Sequence, residues 1–224
     1  ISAKYRIFWV HADAPMRVEG QKTCSMEICE QLGWRVPDKV IVPTGSGGNM
    51  SAQWKGWRDM YSAKLIDEKP AMVAIQNAAA APIYNAFKEE KDRVEPVVAK
   101  KTIATSICNP APPSGLRVLR LVRESKGLVE SVDDDEILQA QKLLGKTEGI
   151  FAEPGGASSI AGLVKLVQQS LIDRDETVVL PHGIGGPAES RQGAGQPERG
   201  AHVQRIHAHQ RLEFAQRAAI ILSL

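Results

Sequence analysis

Four things are scarce in this chain. Aromatic residues make up only 5% of its 224 residues, cysteines number three, net charge is only +2, and no long apolar run occurs. A span of ~18 consecutive apolar residues would be needed to cross a membrane as a helix, so that class is not expected. A charge so near neutral gives no electrostatic footprint for nucleic acid or an anionic membrane surface, and neither is expected as a partner. Cys24, Cys29 and Cys108 form no metal-type C-x-x-C pair, and their odd count suits reduced core thiols in a cytoplasmic protein better than a disulfide frame. The opening Ile1-Ser2-Ala3-Lys4 lacks an initiator Met and the charged-then-apolar layout of a signal peptide. What remains, 43% hydrophobic and 24% charged, is the composition of a globular chain long enough for a sizeable core.

The order of elements alternates. Strands are expected at residues 5–10, 39–43, 71–76, 128–132, 150–152 and 176–180. Helices are expected at 20–32 (stopped by Gly33), 48–62, 81–90, 115–125, 133–144 and 157–169. Asp133 with Glu136 three residues on is a capping-box arrangement. Pro110, Pro112 and Pro113 break residues 102–114 into a loop. Single helices between strands predict an α/β fold, a mostly parallel twisted sheet with helices on both faces, with ligands at the carboxyl ends of the strands. After Pro187 the pattern is lost: residues 188–205 read as loop or disorder, and residues 211–224 as a short helix. His202, His207 and His209 in that tail lack a Cys or Asp partner at a fixed offset, so no metal site is expected.

The chemistry concentrates in Thr44-Gly45-Ser46-Gly47-Gly48-Asn49, which joins a buried strand to a helix. Glycines let backbone N–H groups turn inward and approach an anion, and a helix start adds unpaired N–H groups and a partial positive charge. Phosphate is the natural guest. A dinucleotide fingerprint is excluded because Met50 stands where a third spaced glycine belongs, and a P-loop because no Gly-Lys-Ser/Thr follows. The blander alternative is a tight turn that needs glycine and binds nothing.

Val42 to Asn49 resembles the V-P-x-G-x-G-G-N loop of the tryptophan-synthase-β-like, fold type II enzymes, which use pyridoxal 5'-phosphate (PLP). Further stretches are similar to threonine synthases in particular: Ala14 to Thr23 (N-P-x-R-x-E-G-Q-K-T), Lys55-Gly56-Trp57, Thr102 to Ile107 (T-I-A-T-A-I), Ile150 to Pro154 (G-I-F-x-E-P) and Ala161-Gly162-Leu163. The resemblance runs from about Ala12 to Pro187. It implies that Gly45, Ser46, Gly47, Gly48 and Asn49 hold the PLP phosphate and that Arg17 contacts the phosphate of O-phosphohomoserine, which such enzymes convert to threonine and phosphate. Ser46 stands where the family usually has Asn, and His11 and Ala12 stand where Asn and Ser commonly share the substrate phosphate. The Schiff-base lysine of the family lies in an S-F-K-D-like motif that is absent here, and Lys22 reads as a structural residue. Leu180 occupies the place of the Thr or Ser that meets the pyridine nitrogen. The resemblance therefore implies a carboxyl-terminal portion without its own catalytic residues. Residues 1–19 would be a remnant of a small domain, 20–187 the PLP-binding large domain, and 188–224 a tail outside the family pattern, disordered or frame-shifted. Two alternatives stand beside it: a threonine or serine dehydratase or cysteine synthase of the same fold type, and a non-catalytic paralogue that binds a phosphorylated small molecule. A face left without its usual neighbour implies self-association.

Overall fold

The computed structural model of the chain describes residues 4, 11, 14–173, 175–181 and 221–223. The expected strand at 5–10, the break near 187, the tail histidines and residues 188–220 lie outside these. The elements are α1 (Pro15–Gln21), α2 (Thr23–Gln31), β1 (Lys39–Pro43), α3 (Gly48–Ser62), β2 (Ala71–Asn77) and α4 (Pro82–Lys88). After a 3-10 turn at Thr105–Ile107 come α5 (Gly115–Glu124), β3 (Leu128–Val132), α6 (Asp134–Glu148), α7 (Pro154–Gln168), β4 (Val178–Pro181) and β5 (Ile221–Ser223).

All recorded pairings are parallel, in the order β3-β2-β1-β4-β5. Lys39 pairs with Ala71 and Pro43 with Ile75, while Val73 pairs with Leu128. The chain builds outward from β1 through β2 to β3, then returns to place β4 on the other side of β1. The strand order therefore reverses between β1 and β4, the switch point beside which ligands of open α/β sheets bind.

Alternation along each strand explains why both faces are covered. Val40, Val42, Met72, Ala74 and Val179 point to one face, with Ile28, Met50, Trp57, Ile83 and Val118 from α2 to α5. Ile41, Val73, Ile75, Val178 and Leu180 point to the other, with Ile137, Leu144, Ile160 and Leu163 from α6 and α7. Burying each of the Val, Leu, Ile and Met side chains contributes about 1.5–3 kcal/mol. Only glycine fits where α7 crosses β2, since a Cβ on Gly162 would stand 2.3 Å from Ile75 Cδ1.

Four local expectations are corrected. The helix at 20–32 is two helices meeting at Lys22, where α3 comes so close that a Cβ on Gly56 would lie 1.9 Å from Ser25 Oγ and 2.5 Å from the Lys22 carbonyl. Residues 150–152 form no strand: the Ala152 carbonyl accepts from Gln141 Nε2 at 2.8 Å instead of joining the sheet. Within 211–224, residues 221–223 are a parallel strand on β4 rather than helix. Of the cysteines expected in the core, only Cys29 is fully buried, while Cys24 and Cys108 are half-buried. The capping box is present: Asp133 Oδ1 accepts from the Glu136 N–H at 2.9 Å, and Glu136 Oε2 from the Asp133 N–H at 2.8 Å.

Candidate cofactor-phosphate site

The glycine loop leaves the carboxyl end of β1 at the switch point. Thr44 anchors it: its N–H donates to the Ile75 carbonyl at 2.7 Å and its Oγ1 to the Val42 carbonyl at 2.8 Å. Gln76, fully buried near the end of β2, reaches the Thr44 carbonyl through Nε2 at 3.5 Å. Its Oε1 accepts from the first N–H groups of α4, at Ile83 (2.8 Å) and Tyr84 (3.0 Å). The loop's back is closely packed. A Cβ on Gly45 would lie 2.9 Å from Ile107 Cα, and one on Gly47 would lie 2.6 Å from Val118 Cγ2 and 3.1 Å from Ser114 Cβ. Gly47 also has φ +85°, a left-handed conformation that L side chains rarely adopt. Two of the three loop glycines are thus required by the protein's own packing.

The front of the loop is different. The first backbone bond of α3 runs from the Ser51 N–H to the Gly47 carbonyl at 3.0 Å, and Ser51 Oγ donates to the same carbonyl at 2.8 Å. Ahead of it, the N–H groups of Gly48, Asn49 and Met50 have no acceptor among the described residues. These unpaired donors, at the start of a 15-residue helix, form the electropositive end that a phosphate dianion fits.

The wall above Gly45 is the segment Thr102 to Ile107, and Asp134 holds it. The Asp134 carboxylate accepts from Thr102 Oγ1 (2.5 Å), the Ile103 N–H (3.1 Å) and Asn77 Nδ2 (3.2 Å). Burial alone would raise its pKa, but these three hydrogen bonds outweigh that and hold the carboxyl below its ordinary value. At the other end of the segment Ser106 Oγ donates to Glu153 Oε1 at 3.2 Å, and Gly155 lies so near that a Cβ there would stand 2.1 Å from Ser106 Oγ.

Gly45 to Asn49 are brought together as one cradle. Arg17 stands apart, exposed on α1, with no hydrogen bond or ion pair to the loop among the described residues. Lys22 is committed elsewhere. It and Lys55 share Glu19 (2.7 and 3.0 Å) and Asp59 (2.8 and 2.6 Å), a four-charge ring that ties α1 to α3. Asp59 and then Glu19 raise the pKa of both lysines, and Lys22 followed by Lys55 lowers that of both carboxyls. Leu180 is fully buried in the α6–α7 core and its side chain offers no hydrogen-bonding group. A cleft of about 620 Å³ lined by Asp38, Ile172, Asp173 and Glu176 opens at the opposite, amino end of the strands, away from the loop. Two of its carboxylates are engaged: Glu176 pairs with Lys39, and Asp38 accepts from the Thr177 N–H. Sequence reasoning missed Gln76 and Asp134, although a polar residue near the end of an apolar strand is a signal of this kind.

A family model described as "Pyridoxal-phosphate dependent enzyme" matches residues 2–183. The chain belongs to this family. Its cofactor is PLP, and the cradle fits the phosphate end of that molecule: unpaired N–H donors in front, glycines where a Cβ would collide behind. Among family relatives, the threonine synthase of Methanocaldococcus jannaschii is 44% identical over 194 residues, 85% of this chain and 48% of that protein. The threonine synthase of Methanosarcina acetivorans is 41% identical over 179 residues, 80% and 44% of the two chains. The chain thus spans about half the length of the curated relatives it matches. Of solved structures, the processed form of threonine deaminase isoform 2 from Solanum lycopersicum superposes with a TM-score of 0.64 at 18% identity, covering 84% of this chain and 52% of that one. A fungal L-serine ammonia-lyase from Rhizomucor miehei gives 0.63 at 19%, covering 78% and 54%. At such identities these two carry the fold alone.

Proposed function

We propose that this chain supplies the PLP-phosphate cradle of a threonine-synthase-like enzyme, which converts O-phosphohomoserine and water to threonine and phosphate. The observation that carries the reading is the row of unpaired N–H donors at the start of α3, at the switch point of a family sheet. The 44% and 41% identities to two threonine synthases support this substrate over those of other enzymes with the same fold. When bound, PLP supplies an electron sink for carbanion chemistry; the protein binds, orients and excludes water.

The chain's own residues would then do the following. Gly45, Ser46, Gly47, Gly48 and Asn49 hold the cofactor phosphate through backbone N–H groups and the Ser46 hydroxyl. Gln76 fixes the cradle's base, and Asp134 and Glu153 hold the wall over it. Arg17, docked through the Glu19–Lys22–Lys55–Asp59 ring, offers its guanidinium to the substrate phosphate. Residues 20–187 form the cofactor-binding unit, located in the cytoplasm, and the polypeptide self-associates. Because no S-F-K-D-like lysine occurs in these 224 residues and Leu180 is apolar, this polypeptide by itself binds PLP without a covalent link and does not turn over substrate.

The test is titration with PLP, followed by borohydride reduction and peptide mapping. Binding with no single lysine trapped supports the reading. One specific lysine trapped in high yield, with threonine formed from O-phosphohomoserine, overturns the claim of inactivity, and no PLP binding overturns the cradle.

A further inference from the structure

Gln53 lies one helical turn after Asn49 on α3, and the two differ sharply in environment. Gln53 is fully buried, whereas Asn49, at the edge of the cradle, is exposed. Gln53 Nε2 donates to Asn49 Oδ1 at 3.0 Å, while Gln53 Oε1 has no donor among the described residues. A primary amide carries one accepting oxygen and two donating N–H bonds. With its oxygen accepting from Gln53, Asn49 keeps its Nδ2 donors without an acceptor among the described residues. Side chains on a helix lean toward its N-terminus, so the Asn49 amide leans toward the loop and Gln53 backs it from behind. The reverse arrangement, Asn49 Nδ2 on Gln53 Oε1, would turn an accepting oxygen toward the opening and repel an anion.

We propose that Gln53 is a positioning residue: it fixes the Asn49 amide with its N–H donors facing a phosphate group at the start of α3. This rests on the cradle reading above. A buried amide oxygen without a donor among the described residues is a cost to folding that an apolar side chain at position 53 would avoid.

The experiment is calorimetric titration of the full chain with PLP and with inorganic phosphate, alongside thermal unfolding, for wild type, Gln53→Leu, Asn49→Ala and the double variant. Gln53→Leu should weaken binding about twofold to tenfold, the effect of releasing one held side chain. Its Tm should stay level or rise, because an unpaired buried carbonyl has been removed. In the Asn49→Ala background the same change should have no further effect on binding. A purely structural role would instead lower Tm and leave affinity unchanged. If the wild type binds neither ligand, the cradle reading falls and this inference with it. If the wild type binds and Gln53→Leu binds equally well, or weakens binding equally in the Asn49→Ala background, the inference alone falls. Should Gln53→Leu not fold, side-chain amide NMR of the wild type decides: the Asn49 NH2 pair must shift on adding phosphate, and an unmoved pair overturns the proposal.

Discussion

Replacing Gly47 with alanine tests whether the cradle glycines serve packing as well as ligand. Two costs apply. The first is conformational: at φ +85° an L residue is strained by about 1–2 kcal/mol, offset by about 0.4–1 kcal/mol because alanine restricts the unfolded chain. The second is steric: the new Cβ would meet Val118 Cγ2 at 2.6 Å and Ser114 Cβ at 3.1 Å, overpacking of the kind that costs about 1–3 kcal/mol. Gly149, which caps α6 at φ +67° with nothing within 4 Å, carries the first cost without the second. Gly149→Ala should therefore destabilise by about 1 kcal/mol and Gly47→Ala by about 2–4 kcal/mol. For a chain of this size the latter lowers Tm by roughly 4–16 °C. Urea and thermal unfolding in phosphate-free buffer read the difference without any contribution from a bound anion. If the two variants fall within about 0.5 kcal/mol of each other, the steric half of the argument is refuted.

Asp134, whose folded pKa is depressed, contributes stability that is present above the ordinary carboxylate value near 4 and is lost as pH falls through the folded value. Asp134→Asn should thus be less stable than wild type at pH 7, with the gap closing on acidification; a gap independent of pH would refute the role given to the charge. Burial, then the charge of Glu27, pushes the Cys24 thiol up to about 11, and burial raises that of Cys29. With roughly a hundredfold less thiolate at Cys24, both should react with a thiol reagent at pH 8 far more slowly in the native chain than in urea, and equal rates would contradict the burial.

The local code carried much of this molecule. Strands at 39–43 and 71–76 are legible because alternate residues face two different cores, and the Asp133–Glu136 capping box is complete within four residues. The glycine loop announces itself the same way, since strand, turn and helix start are contiguous. Contacts between distant segments decided the rest. Nothing near Lys22 says that the helix breaks there; the reason is Gly56 on α3, which lets the two helices nearly touch. Ile150 to Ala152 has strand composition, but Gln141 takes the Ala152 carbonyl and no strand among the described residues pairs with it. Gly45 looks like a residue kept for a ligand, yet the backbone of Ile107 forbids a side chain there whether or not a ligand binds. Asp134 reads in sequence as one acid of a helix-start run, and only folding brings Thr102, Ile103 and Asn77 to it. Sequence alone thus determined the parallel α/β plan and the position of the glycine loop, because periodicity and turn chemistry act between near neighbours, while its series of motifs carried the family resemblance. Tertiary structure decided which glycines, acids and amides shape the cradle, because close approach and hydrogen bonding depend on segments many residues apart.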